Sequence, residues 1–413
     1  MTLFNKTSSS ILFLSCLSTF AHANLTNFGD PNTHTLTQAM TNHSVHVVQL
    51  GDSHTAGDTM TDALRDRLQG VMGDGGMGWA MPMYFSGQRM ARFSYDNVDF
   101  SPISSRTNQS ISYTLGGLVA TPQTNGASLT LKPKKGNEPT QKIWVSIRQS
   151  PNDGRFTGVD ARGHQFILEA PHKNNSWQMV VVDAMPPFTI YSENATNSAI
   201  GGWWAFNPSG RGAVVSALGI NGAELSHWSR WNTNAWKNEL AIISPNLIIL
   251  AYGTNEAYNN VSVDIVRTTL TEKVRQVRTA SPRSAIMILG APESLKSTNG
   301  GCGTRPTHLS EIQIAQQQVA QNERTLYWDW QSAMGGSCTM KSWINQGLAN
   351  KDGVHFSKSG YQRLGYQLAN DLLSLQTQNA PITYNIGQTQ STSTSHANAN
   401  GQGRGFIRIE RAK

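Results

Sequence analysis

Residues Asn246–Tyr252 read Asn-Leu-Ile-Ile-Leu-Ala-Tyr, a run without polar alternation that ends directly on Gly253-Thr254-Asn255-Glu256. So short a run cannot cross a bilayer, and it predicts a strand covered on both faces, the situation of a central strand in a parallel sheet. Parallel strands need crossovers, and the flanking sequence supplies them. Val45–Leu50 is a second strand, leading into Gly51-Asp52-Ser53-His54, and helical spacing follows over Met60–Val71 with Leu64, Leu68 and Val71 on one face. A helix over Val263–Val277, a strand at Ser284–Gly290, a helix over Thr307–Gln321, a strand at Thr325–Trp330 and a last helix over Lys358–Leu375 continue the alternation. Strands alternating with helices predict an α/β fold with a doubly wound parallel sheet.

Between residues 93 and 203 the texture changes to short β-rich runs: Ser110–Leu115, Ala127–Leu131, Lys142–Ile147, Gln165–Leu168 and Gln178–Val182, punctuated by Gly, Pro and Asn. No helical period is visible there. The pattern predicts an antiparallel β-sandwich inserted into the α/β domain, an extended insertion being the alternative. The hydrolase-like part would then comprise residues 24–92 and 204–376.

Both ends read differently. Residues 1–23 carry Lys6, an apolar run Ile11–Phe20 half the length of a membrane span, and Ala21-His22-Ala23, which predicts a cleavable signal peptide; an uncleaved anchor is the alternative. Residues 377–413 are rich in Gln, Thr, Ser, Asn and Gly and cannot bury enough apolar area to offset backbone ordering, so they are expected to be a disordered tail. With the leader removed, Cys302 and Cys338 remain. In an oxidising compartment an even pair predicts a disulfide over a loop of roughly 37 residues, worth ~3–4 kcal/mol, against two buried thiols. Charge excludes little else. Only 14% of residues are charged, and the net +7 is dispersed apart from Arg404, Arg408, Arg411 and Lys413, which argues against a nucleic-acid binder.

Three short segments carry chemistry. Ser53 stands at the carboxyl end of a strand on a turn that opens a helix, the edge at which open α/β sheets bind ligands; a plain helix cap is the bland alternative. Asp352-Gly353-Val354-His355 precedes the last helix. There the carboxylate can orient the imidazole while its other nitrogen faces Ser53, unless both residues merely cap that helix. Asn255 follows the buried strand and offers a neutral N–H donor to a developing oxyanion, or is simply a turn former. Upstream, Gly222 is the preferred backbone donor and Gly219 the reserve.

In this order the pieces resemble the SGNH (GDSL-type) hydrolase family, whose blocks supply Ser, Gly, Asn and His in turn. The resemblance implies a flavodoxin-like sheet, with Ser53 as nucleophile, His355 as base oriented by Asp352, and the Ser53 amide, Gly222 and Asn255 as oxyanion donors. Closer still, Gly51–His54, Asp74-Gly75-Gly76-Met77-Gly78-Trp79, Gly253–Ala257 and Asp352–Ser357 are similar to the blocks of the periplasmic peptidoglycan O-acetylesterases of Gram-negative bacteria. That likeness spans residues 45–375 and includes a carbohydrate-binding-module-like sandwich between the first two blocks. It implies a metal-free, cofactor-free monomeric esterase in the periplasm, acting on O-acetylated glycan strands at C6 of N-acetylmuramic acid. A peptidoglycan O-acetyltransferase, an acetylesterase for another polysaccharide and a non-catalytic glycan-binding protein are the rivals. Trp79, Trp203 and Trp204 are candidate cleft-wall residues, with buried packing, the commoner fate of tryptophan, as the alternative, and the insertion is either a glycan-binding module or a structural lid.

Overall fold

In a computed structural model that describes residues 24–378, the unbroken apolar run forms the strand Leu247–Ala251, with all five of its residues buried. Both the proposed signal peptide and all but the first two residues of the proposed tail lie outside the described residues. The strand sits between Ser44–Gly51 and Ala285–Leu289 in a six-stranded sheet, ordered Leu25–Asn27, Leu326–Trp328, Ala285–Leu289, Leu247–Ala251, Ser44–Gly51, Gly212–Gly219. Five strands are parallel, and the short edge strand Leu25–Asn27 is antiparallel to its neighbour. Counting only the parallel strands in chain order, the sheet runs 2-1-3-4-5, the flavodoxin-like order. The chain reverses its winding between Ser44–Gly51 and Leu247–Ala251, where such sheets open a crevice.

Alternating side chains feed two helical layers. Val45, Val47 and Ile249 pack with Leu64 and Leu68 of helix Thr59–Met72 and with Leu364, Leu368 and Leu372 of helix Lys358–Gln378. Val48, Leu50, Ile248 and Leu250 point the other way, onto Leu270, Val274 and Val277 of helix Val263–Ala280. Each such fully buried side chain contributes roughly 1.5–3 kcal/mol of transfer free energy. The inward face of helix Thr59–Met72 ends on Met72; Val71, expected there, is 41% exposed.

Strands between residues 93 and 206 form two antiparallel sheets. One is ordered Gln165–Leu168, Arg155–Val159, Phe188–Glu193, Ser128–Pro133, Phe93–Val98; the other runs Trp177–Ala184, Gln141–Arg148, Ala199–Phe206, Leu118–Pro122, Phe100–Ser104. Phe188 meets Trp203 with ring centroids 5.4 Å apart, joining the two sheets through their apolar faces. Strand Gly78–Ala80 pairs antiparallel with Trp203–Ala205, so the apolar core runs without a break from the sandwich to one face of the parallel sheet.

Two expectations are corrected here. Trp79, Trp203 and Trp204 are at most 1% exposed and belong to this shared core rather than to a cleft wall, with the Trp203 indole donating to Pro82 O and that of Trp204 to Glu239. Ser110–Leu115 forms no strand. Its Thr114 hydroxyl and Leu115 amide donate to the buried Glu239 carboxylate, Tyr113 O accepts from the Asn232 amide, and Gly116 and Gly117 turn the chain with positive φ. Side-chain and loop partners therefore replace a strand neighbour.

Cys302 and Cys338 are joined, closing a span of 36 residues. Replacing both by serine is expected to lower stability by ~3–4 kcal/mol on the loop-entropy scale, read as a drop in denaturant midpoint with a somewhat steeper slope, because the unfolded chain without its cross-link exposes more surface.

Candidate active site

Gly51 pairs with Gly219 on one side and Ala251 on the other, so the three central strands end on one line. Whatever follows each strand therefore emerges at one rim. From the first comes Ser53, opening helix Ser53–Ala56; from the second, Asn221 and Gly222; from the third, Asn255, within helix Thr254–Tyr258. His355 arrives from the loop ahead of helix Lys358–Gln378. These residues, with Asn350, line an open cleft of about 510 Å³.

The Asp352 carboxylate accepts from the backbone N–H groups of Val354 and His355, both at 2.9 Å, and lies 2.8 Å from His355 Nδ1. An ionised carboxylate only accepts, so Nδ1 carries the imidazole proton and Nε2 is left as an acceptor. Ser53 Oγ stands 2.9 Å from that Nε2, placed to donate its hydroxyl hydrogen. Partial burial by itself would raise the Asp352 carboxyl, but the two backbone donors and the imidazole outweigh it and hold the group below the usual carboxylate range.

Asn255 Nδ2 donates to Ala223 O at 2.9 Å, which fixes the amide plane; its second contact, Asp52 Oδ2 at 3.4 Å, is at the limit of a hydrogen bond. Glu256 ties the two loops together, accepting from the Leu225 amide at 2.8 Å and the Gly253 amide at 2.9 Å. The two candidate glycines separate cleanly. Gly222 lines the cleft with φ +68°, while a Cβ on Gly219 would lie 2.1 Å from Ala56 N, so Gly219 is a close approach of its strand to helix Ser53–Ala56.

Beneath the rim the side chains are buried. His54 is buried, donating to or accepting from Tyr361 Oη at 2.8 Å, and its ring lies 5.4 Å from that of His355. Burial pushes His54 down to about 3, so it is neutral and adds no charge below the imidazole of His355. Asp52 and Glu256, both buried, move the opposite way. Loss of water raises Asp52 to about 8, partly offset by the His54 amide and reinforced by the Glu256 charge; burial likewise raises Glu256 to about 7. Sequence reasoning missed this carboxylate pair, although each belongs to a block it singled out.

Because both folded values lie above those of an unfolded chain, the folded protein binds these protons more tightly. The stabilisation is complete below about pH 4 and is lost as pH rises through about 7 to 8. Buried His46 and His54, both pushed down to about 3, act in the opposite sense up to about pH 6.5, so melting temperature should fall between pH 7 and 9, and Asp52→Asn should flatten that slope and melt higher than wild type at pH 9. A slope identical in the two proteins would show that Asp52 is ionised throughout.

Comparison with known proteins bears on the whole arrangement. The family description "Peptidoglycan O-acetylesterase, N-terminal" matches residues 75–189, and "GDSL-like Lipase/Acylhydrolase family" matches residues 189–363. A solved peptidoglycan O-acetylesterase is 40% identical, with a TM-score of 0.78 over 86% of this chain and 99% of its own. The chain belongs to the peptidoglycan O-acetylesterase family. It is an SGNH-type esterase with the expected α/β fold and inserted antiparallel sheets. More distant structures include a family two carbohydrate esterase from Cellvibrio japonicus, 13% identical over 69% of this chain and 99% of its own at a TM-score of 0.28. An acetyl xylan esterase is 10% identical over 39% of this chain and 80% of its own, at a TM-score of 0.31. Among curated proteins no match was found. No helix among the described residues of this family member is long and apolar enough to cross a membrane.

Proposed function

We propose that this chain hydrolyses the acetyl ester at C6 of N-acetylmuramic acid in peptidoglycan, in the periplasm, through an acetyl-serine intermediate. The observation that carries the reading is the hydrogen-bonded series Asp352, His355, Ser53 opening onto a cleft at the reversal of the sheet.

In the first half-reaction Ser53 Oγ attacks the acetyl carbonyl carbon and its proton passes to His355 Nε2. The oxyanion rests on the backbone N–H groups of Ser53 and Gly222 and on the Asn255 amide, whose weakly held second N–H is the one the oxyanion takes over. Each such donor contributes ~2.7–4 kcal/mol in comparable sites. His355 then protonates the departing sugar oxygen. In the second half-reaction water, deprotonated by His355, attacks the acetyl-serine; acetate leaves and the proton returns to Ser53. Asp352 holds the imidazole tautomer and balances its transient positive charge.

The domain reading fits this chemistry: residues 24–92 and 204–376 carry the blocks, and residues 93–203 are an insertion whose apolar core is continuous with one face of the parallel sheet through strand Gly78–Ala80. The test is acetate release from O-acetylated peptidoglycan and from acetylated xylan, with and without a glycan acceptor. Release from peptidoglycan with no acetylated acceptor formed supports the reading; a preference for xylan or net transfer would replace it.

A further inference from the structure

The cleft is polar in an uneven way. No Asp or Glu side chain lines it, yet two cations do, Arg89 and Lys358. They come from unrelated parts of the chain. Arg89 lies in a loop fastened on both sides: its own amide donates to Ala56 O at 3.0 Å, at the end of the Ser53 helix, while Gly87 O accepts from Asn221 Nδ2 at 2.6 Å, next to Gly222. Lys358 opens the helix that follows His355.

Neighbouring cations are used structurally. Arg92 reaches Asp62 at 3.0 Å and Asp66 at 2.6 Å, Arg65 is buried on Asp58 and Asp62, and Arg106 donates to Gly222 O. Arg89 and Lys358 are exposed, and their side chains have no hydrogen-bond or ionic partner among the described residues. Two cations lining one cleft whose lining carries no carboxylate make the potential there favourable to an incoming anion.

The acetyl group is neutral and its hydrolysis needs neither side chain. What remains is the rest of the substrate. A cleft of about 510 Å³ is in the usual range of small-molecule sites and has room for the sugar that bears the ester. On muramic acid that sugar carries a lactyl ether, which ends either in a free carboxylate or in an amide to a peptide with carboxylates of its own. We propose that Arg89 and Lys358 form an anion subsite that binds a carboxylate borne by the lactyl substituent, so that the enzyme selects acetylated muramoyl residues over neutral acetylated sugars. This rests on the esterase reading above and specifies what that site recognises beside the ester.

The experiment uses four acetyl esters: p-nitrophenyl acetate, 6-O-acetyl-N-acetylglucosamine, 6-O-acetyl-N-acetylmuramic acid with its free lactyl carboxylate, and the 6-O-acetyl muramoyl dipeptide. Wild type should prefer one or both muramoyl esters to the glucosamine ester by about tenfold or more in kcat/KM, a preference that shrinks as salt rises from 50 to 500 mM by screening. Which muramoyl ester is preferred tells the lactyl carboxylate from the peptide carboxylates. In Arg89→Gln/Lys358→Gln the ratio of kcat/KM for the preferred muramoyl ester to that for p-nitrophenyl acetate should fall about tenfold, through KM. An equal loss on all four esters, an unchanged ratio, or no wild-type preference overturns the anion subsite and leaves the esterase reading standing. Hydrolysis of p-nitrophenyl acetate with no cleavage of any sugar ester overturns both.

Discussion

Ser53→Ala is expected to remove acetate release almost completely, by about 10⁴-fold or more, because removing the nucleophile of a triad leaves only binding and oxyanion stabilisation. The two threonine hydroxyls nearest in sequence are engaged elsewhere. Thr55 Oγ1 is buried and engaged by Gln49 Nε2 at 2.8 Å, and Thr59 Oγ1 donates to Gly57 O at 3.3 Å. The fold should not notice the change. Among the described residues the Ser53 side chain has one hydrogen bond, to His355, so its removal leaves no buried polar partner in the helix Ser53–Ala56 unpaired. Acetate release from O-acetylated peptidoglycan, measured beside thermal unfolding of the same preparations, checks both halves. A variant that melts like wild type and keeps more than a few per cent of the activity would remove Ser53 from the mechanism.

Much of the parallel sheet was legible because its strands are buried on both faces, and burial on both faces writes itself into sequence as an unbroken apolar run. Leu247–Ala251 and Ala285–Leu289 lie within one residue or two of the expected limits. The end of Leu326–Trp328 was not legible: Trp330 continues the apolar run but opens a short helix, with Asp329 accepting from the Ser332 amide. Convergence at one rim was readable for a related reason. Gly51, Gly219 and Ala251 lie in register, so residues that follow strands by two to four positions must meet. Whether the tryptophans wall the cleft or fill the core was not legible, because their burial depends on pairing Gly78–Ala80 with a strand more than a hundred residues later, and nothing in the local pattern of either segment records that. Arg89 and Lys358 were silent for the opposite reason, since an exposed cation has no periodicity and belongs to no motif.

His355→Ala should be about as damaging as Ser53→Ala, and the double variant no worse than either, because the two side chains perform one step together. Without the imidazole the Ser53 proton has no acceptor among the groups described around it, and the sugar oxygen would leave as an alkoxide. Asp352→Asn should be milder. The Asp352 side chain is 46% exposed, so water screens much of its interaction with the imidazolium, and the loss should be about 10²–10³ rather than the ~10⁴ of a buried triad aspartate. An asparagine whose amide N–H₂ faced Nδ1 would force the proton onto Nε2, where it blocks the approach of the Ser53 hydroxyl; one whose oxygen faced Nδ1 would keep the tautomer and forfeit only the charge. Kinetics on O-acetylated peptidoglycan separate the cases: a fall in kcat with KM unchanged in all three single variants is the expected result. A double variant much slower than either Ser53→Ala or His355→Ala alone would mean that the two act independently.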